Sequence, residues 1–547
     1  MKKNSFIEGT IIATLAIVFT KILGMLYVIP FYALVGTQGA ALYAYAYNIY
    51  SLFLEVATAG IPNAVSKIIN EFNTLNKQEA KIRTFQIGKK LLSFIAIVAF
   101  IIMFVFAPQI SGMIIGDLAG GNTIQDITFV IRCVSFAILI FPFLSVSRGL
   151  FQGHNIIYVS SYSQVIEQIA RVIVILCGSY IALKILHLDL THAVGVAVFS
   201  AFAGGSCALI YVYGKIRKNK KELFLDKEFK KKDDVTNKEI IKRIIKYALP
   251  VIIISIAFTI YNNIDMILIL RTMDYLGFSA HEVEFIATGI STWASKISII
   301  VTSIGLGLSS SLIPAMVEAY TLKKYDDVNR KFNKAMEIII FVTIPMCVGI
   351  SLLSNAIWTI FYGYSKLGAS ILSVCIFSPL FTNFYTVSNY TLQSINRFKT
   401  VYISAITGIV LNALLDVPFM ILLDYFGLPA YYGATLATVV GLSVTVLIAM
   451  HVLKKEYNFN YKEILIVLKK SIVPLILMIG VVILLKLIIP LNVTNRIGSI
   501  FYVGIISVVG ALIYFIVSYK MGLFEEVLGK DFYLKIKRKF KRNKKEV

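Results

Sequence analysis

Charge is scarce in this chain: Asp, Glu, Lys and Arg make up 15% of its 547 residues, against 58% hydrophobic residues and a mean hydropathy of +0.79. A soluble globular chain of this length needs more polar surface, so a water-soluble enzyme or scaffold is excluded and a polytopic membrane protein is implied. Cysteine is sparse too. The five, Cys133, Cys177, Cys207, Cys347 and Cys375, fall inside apolar segments without CxxC or Cys/His spacing, which leaves them as small core residues rather than a disulfide or zinc framework. Five scattered histidines form no metal signature, and HExxH, GxSxG and Walker motifs are missing, so no catalytic residue, metal, cofactor or ATP site is expected. A leader is not expected either, because the first apolar run is too long for a signal-peptide core.

What the chain has in abundance is apolar runs. Fourteen are long enough to cross a bilayer: 10–34, 39–61, 91–115, 127–147, 156–183, 193–214, 247–270, 286–313, 336–361, 368–394, 401–423, 430–452, 471–490 and 498–519. The basic residues orient them. Of the 53 Lys and Arg, 44 fall in the two termini and every second loop; the opposite loops hold Lys184, Arg271, Lys366 and Arg496 only. This is a strong positive-inside bias, so both termini are expected in the cytoplasm (N-in/C-in). It also accounts for the net charge of +23 without nucleic acid, since the excess is spread over loops. The tail between Lys535 and Lys545 is basic enough to lie on anionic membrane lipids.

The charged loop 215–246 divides two six-span halves, and short echoes support that division. Phe151-Gln152-Gly153-His154-Asn155 after the fourth span matches Leu392-Gln393-Ser394-Ile395-Asn396 at the end of the tenth. Ile61-Pro62-Asn63-Ala64-Val65 after the second matches Ile313-Pro314-Ala315-Met316-Val317 after the eighth, where a proline is expected to close each span before an interfacial helix. The organisation read from this is an N-terminal lobe (1–214), a cytoplasmic linker (215–246), a C-terminal lobe (247–452), two further spans (453–520) and a basic tail (521–547). Two halves of equal orientation around a midplane site are a transporter architecture.

Charges inside spans mark where that site lies. Lys21 sits near the middle of the first span, a placement that costs about 2.5–3.5 kcal/mol and is kept for a cavity or a partner. Asn48, Ser51, Glu55 and Thr58 form one stripe on the second span. Ser255, Thr259, Asn262 and Asp265 do so on the seventh, and Gly289, Thr292, Lys296 and Ser303 share a face of the eighth. Each half thus brings one cation and one carboxylate into the membrane, Lys21 with Glu55 and Lys296 with Asp265. Glu167 and Arg171 are spaced to neutralise each other as a structural or gating pair. Arg132 and Glu337 lie near span ends and are expected to snorkel. Asp416 has no evident partner, and core hydrogen bonding and function are both open.

Thr20-Lys21-Ile22-Leu23-Gly24, Ile29-Pro30-Phe31-Tyr32, Ala59-Gly60-Ile61-Pro62-Asn63-Ala64-Val65-Ser66-Lys67 and Arg148-Gly149-Leu150-Phe151-Gln152-Gly153 carry a resemblance. In order and spacing they resemble the polysaccharide-biosynthesis and stage V sporulation B group of the multidrug, oligosaccharidyl-lipid and polysaccharide exporters, which includes lipid II flippases of the MurJ type. The resemblance implies an all-α membrane fold of fourteen spans, alternating access, and movement of undecaprenyl-diphosphate-linked sugars to the outer leaflet of the bacterial cytoplasmic membrane. It implies that Lys21 and Lys296 bind the diphosphate; the stripes add Glu55, Asp265, Asn48 and Asn262 around them, and Arg148 and Gln152 belong to the cytoplasmic motif. Many relatives carry arginine where this chain has lysine, and Glu55 stands where better-known flippases are basic. Coupling to membrane potential, proton, sodium or chloride, and contact with cell-wall synthesis proteins, complete the expectation. A flippase for another lipid-linked glycan, a cation-coupled drug exporter and, from a different class, a membrane transferase or structural partner remain alternatives.

Overall fold

A computed structural model describes residues 6–528 except 59, 76, 117, 119, 155, 221–222, 224–233 and 490–494. The basic tail beyond 528 and the middle of the linker thus lie outside the described residues. Helix is the only regular structure among those described. The helices are α1 (Phe6–Leu26), α2 (Val28–Thr58), α3 (Ile61–Thr74), α4 (Gln78–Val105), α5 (Ala107–Ile115), α6 (Ile124–Gly153), α7 (Ile157–Ile173, prolonged by π-helical turns), α8 (Leu190–Lys218), α9 (Asn237–Tyr275) and α10 (Ala280–Thr288). There follow α11 (Ala294–Thr321), α12 (Tyr325–Leu352), α13 (Ser354–Tyr362), α14 (Lys366–Cys375), α15 (Ser378–Ser394), α16 (Phe398–Tyr425), α17 (Tyr432–Tyr457), α18 (Lys462–Ile488), α19 (Arg496–Lys520) and α20 (Leu523–Leu528).

Thirteen helical stretches among the described residues are long and apolar enough to span a membrane. The first, Leu15–Glu55, has 41 residues and so extends about 60 Å, twice a hydrocarbon core, and it covers both the first and the second apolar runs of the sequence. It is broken at Gly36, whose φ of 67° and ψ of −170° are conformations that only glycine adopts without strain.

The polar caps explain where many spans begin. Thr123 and Asp126 form a reciprocal capping box at α6, Ser279 and Glu282 another at α10, and Asp189 and Thr236 cap α8 and α9 with their side chains. Both copies of the Phe/Leu-Gln-x-x-Asn echo fall at helix ends, α6 closing at Gly153 and α15 at Ser394. The Ile-Pro echo is not symmetric. Pro62 opens the amphipathic α3, which buries Ile61, Ala64, Val65, Ile68, Ile69 and Phe72. Pro314 does not close its span, because α11 runs on to Thr321. The difference is the residue in front: Gly60 ends the preceding helix, whereas Ser311-Leu312 offers no such breaker and the proline removes one hydrogen bond only.

By packing, the chain forms two compact units, 1–292 and 293–547. In the first, α6 is the hub: it buries a row from Ile127 to Gly153 against α2, α4, α3 and α8. The long α9 packs on α3 and α2 within this unit. In the second, α16 and α17 form the most extensive helix pair, and α18 and α19 pack on each other, α18 also against α12. All five cysteines are free; Cys347 and Cys375 are buried as expected, but Cys177 and Cys207 point outward.

Candidate functional site

The polar stripe of α2 resolves into one residue that reaches across and others that bond to their own helix. Ser51 and Thr58 donate to the carbonyls of Tyr47 and Leu54 one turn back. Asn48 is buried, and its Nδ2 donates to Ser291 Oγ at 3.1 Å and Thr292 Oγ1 at 3.0 Å. The two acceptors sit in a π-helical turn, Gly289–Trp293, which widens the helix and interrupts the simple face expected from Gly289 to Lys296. From α9, Asn263 Nδ2 donates to Asn48 O at 3.3 Å and Thr259 O at 2.8 Å. Asn263 was not singled out by the stripe; its neighbour Asn262 was, and Asn262 is only half-buried.

Lys21 on α1 and Glu55 on α2 are each half-buried. Among the described residues they form no ion pair, so the structure does not hold them together as a salt bridge. Gly24, one turn beyond Lys21, meets α7 at Gln168, where an added Cβ would lie 3.4 Å from Nε2. Asp265 is buried within the first unit, and Lys296 is half-buried near the start of α11 in the second.

The Glu167 and Arg171 pair is present and is larger than the spacing implied. Arg171 donates to Glu167 Oε1 at 3.1 Å, while Arg148 from α6 donates to Glu167 Oε2 at 2.9 Å and to Ser163 Oγ at 2.7 Å. Arg148 thus belongs to an ion cluster as well as to its sequence motif; Gln152, one turn on, donates to Ser160 at 2.9 Å. The guanidinium of Arg171 lies over Phe141, 5.8 Å from its centroid, and its Nε is buried without a hydrogen-bond partner. Two cations share one carboxylate, leaving one positive charge in excess in a largely dry place, a situation stable only with good hydrogen bonding. Chemically, the cluster ties α6 to α7 and adds a positive potential beside the stacked Tyr43 and Tyr47 of α2.

Of the other acidic groups, one departs from its expected place, one had been left open and one carried no expectation. Glu337 does not snorkel: it is 2% exposed and paired with Lys334 at 2.8 Å, because α12 begins at Tyr325 and carries it well inside the bundle. Arg132 does stay exposed, its guanidinium over Phe104. Asp416 is buried with Asn412 Nδ2 3.3 Å away, and Asn412 also donates to Thr438 Oγ1 at 3.2 Å, a polar knot joining α16 and α17. Glu284 was missed altogether. It lies two residues before the apolar run that defined the eighth span, yet it is buried and accepts from the backbone N–H of Asn122 at 2.9 Å and from Asn122 Nδ2 at 3.0 Å. No group of three or more His, Cys, Asp or Glu among the described residues is arranged for a metal ion.

In the second unit, an apolar cleft of about 360 Å³ opens between α12, α18 and α19, lined by Pro345, Met346, Met478, Val482, Ile506 and Tyr514.

The sequence profile of the polysaccharide biosynthesis protein family matches residues 6–320. The chain belongs to that family. A MatE profile also matches, over residues 250–417. Over 542 residues, 96% of this chain and 97% of the relative, the family member here is 32% identical to "Lipid II flippase MurJ" of Bacillus subtilis (strain 168). "Stage V sporulation protein B" of the same organism is 23% identical, covering 85% of this chain and 88% of that protein. Among solved structures, "Lipid II flippase MurJ, inward closed conformation" superposes with a TM-score of 0.66 at 18% identity, over 95% of this chain and 99% of that one. An inward-facing multidrug resistance MATE family transporter of the MOP superfamily gives 0.59 at 14% identity, over 80% and 94%. This polysaccharide biosynthesis family protein is therefore an all-α membrane transporter and not an enzyme, a multi-pass protein of the bacterial cytoplasmic membrane.

Proposed function

We propose that the protein is a flippase that moves lipid II, an undecaprenyl-diphosphate-linked cell-wall precursor, from the inner to the outer leaflet. The observation that carries this reading is the 32% identity to a lipid II flippase over nearly the full length of both chains. Lys21 and Lys296 attract the diphosphate; lysine supplies a point charge in place of the bidentate fork of arginine. Glu55 and Asp265 take a coupling ion when cargo is away, and Asn48 and Asn262 line the path. The apolar cleft of the second unit offers surface for a polyprenyl chain. An inside-negative potential assists, since carrying two negative charges outward is worth roughly 4–5 kcal/mol at 100 mV.

The test is transport by purified protein in vesicles loaded with lipid II or with an undecaprenyl-diphosphate-linked capsular unit, scored by an external enzyme that modifies only exposed cargo. Faster exposure of lipid II than of the capsular unit supports the proposal; movement of the capsular unit alone would transfer the assignment to another glycan. The MatE match favours one second reading, a cation-coupled exporter, which predicts efflux of organic cations in the same vesicles.

A further inference from the structure

On the membrane face of the first unit, the basic and apolar residues of α4 and α8 are arranged head to tail. Lys89 and Arg217 line one cleft of about 600 Å³ with Phe85, Phe143, Ile210 and Tyr213. Lys89 and Lys90 line an adjoining one of about 670 Å³ with Phe94 and Ile97. Lys89 Nζ lies 5.4 Å from the centre of the Phe143 ring, so α6 forms the floor beneath the ammonium group. The apolar walls face outward: Ile210 is 73% exposed and Phe94 67%.

The two helices place charge and grease in the same order along the membrane. On α4 the ring of Phe94 and the side chain of Ile97 follow Lys89 by five and eight residues, about 8–12 Å at 1.5 Å per residue. On α8, which approaches the basic end from the opposite direction in sequence, Ile210 precedes Arg217 by seven residues, about 10 Å. That offset matches the distance from a phospholipid headgroup to its upper acyl chain. None of Lys89, Lys90 and Arg217 has an ion-pair partner among the described residues, so their charge is available to an anion.

We propose that this double cleft is a binding site for an anionic glycerophospholipid of the inner leaflet, the phosphate held by Lys89, Lys90 and Arg217 and one acyl chain laid between α4 and α8. Phosphatidylglycerol fits by charge; phosphatidylcholine, whose headgroup carries its own cation beside the phosphate, does not compete for the same three basic groups. The site lies on the outside of the bundle and is independent of the cargo-binding lysines.

The full-length protein is purified in neutral detergent and melted while phosphatidylglycerol or phosphatidylcholine is titrated in. The wild type should gain melting temperature with phosphatidylglycerol at low mole fraction and not with phosphatidylcholine. Lys89→Gln/Lys90→Gln/Arg217→Gln should melt normally without lipid and need roughly 100-fold more phosphatidylglycerol for the same gain, the equivalent of three basic contacts at a membrane surface. Lys399→Gln/Lys454→Gln/Lys455→Gln, which removes the same charge elsewhere, should respond as wild type. Ile210→Trp, which fills the cleft and leaves every charge in place, should also weaken the response. An equal response in the first triple variant and the wild type, an equal loss in the control triple, or equal gains from both lipids would each overturn the proposal.

Discussion

Glu167 holds two guanidinium groups in the same small volume, and its replacement measures how much that arrangement matters. Glu167→Gln leaves Arg148 and Arg171 facing each other with no counter-charge, and a loss of about 3–5 kcal/mol is expected for breaking a buried pair from one side. Removing one cation as well, Glu167→Gln with Arg171→Gln, should recover much of that loss; thermal melting in detergent reads both. Asp189 supplies a second test at this scale, outside the spans. Its carboxylate caps α8, and the hydrogen bonds from the His192 backbone N–H and ring hold its pKa below the ordinary aspartate range. A pKa lowered by folding means that the cap stabilises above the unfolded value and is lost as pH falls through the folded one. Wild type and Asp189→Asn should therefore melt at different temperatures near neutrality and converge below about pH 4. The i, i+4 spacing of Glu167 and Arg171 was legible because it is a property of one helix. The contacts of Arg148 and Glu284 were not, since Glu167 sits on another helix and Asn122 in the segment before α6, nineteen and 162 residues away in sequence. Asn262 and Asn263 show the same limit: a stripe chooses a face to within one residue, and tertiary packing decides which amide is used.

Among the elements, apolar length told most and backbone irregularity least. Runs of eighteen or more apolar residues located every long helix, because the bilayer forces its helices to that length. Several helices, α6, α8, α9, α16 and α19, exceed their apolar runs at both ends, α9 reaching 39 residues, because polar turns are tolerated beyond the hydrocarbon. The π-helical turns in α7 and ahead of α11 have no residue signature and went unread. Close approach of helices is equally silent until coordinates exist. At Gly60, an added Cβ would lie 2.2 Å from the carbonyl oxygen of Ala248, so α3 and α9 pack there only because the side chain is missing. Gly60→Ala should push the two apart and cost about 1–3 kcal/mol, as overpacking does, with a lower melting temperature and slower transport. The exposed Thr74→Ala on the same helix, whose hydroxyl bonds the Asn70 carbonyl one turn back, should leave both near wild type, which separates this contact from a general effect on α3.

For the whole molecule, the basic residues carry the argument. Lysine and arginine crowd every second connection between spans, so the sequence predicts the sidedness of the chain, and an accessibility map with cysteines placed in segments 62–77 and 271–279 should label the former only from the cytoplasm. The few charges left inside the membrane are then conspicuous against the apolar background. That contrast is what singles out Lys21 and Lys296 as candidates, whereas the contacts of such charges depend on the folded packing. The central claim is that these two lysines serve a lipid-linked diphosphate. The measurement that tests it most directly is outer-leaflet lipid II in bacterial cells whose own flippase is switched off, expressing wild type or Lys21→Ala/Lys296→Ala at matched levels in the membrane. Wild type should restore lipid II to an external enzyme and the double variant should leave it inside, a fall of roughly 100-fold for two lost charge contacts at about 1.5 kcal/mol each. Restoration by the double variant at the wild-type rate would contradict the cationic mechanism, and failure of well-expressed wild type would contradict the choice of lipid II.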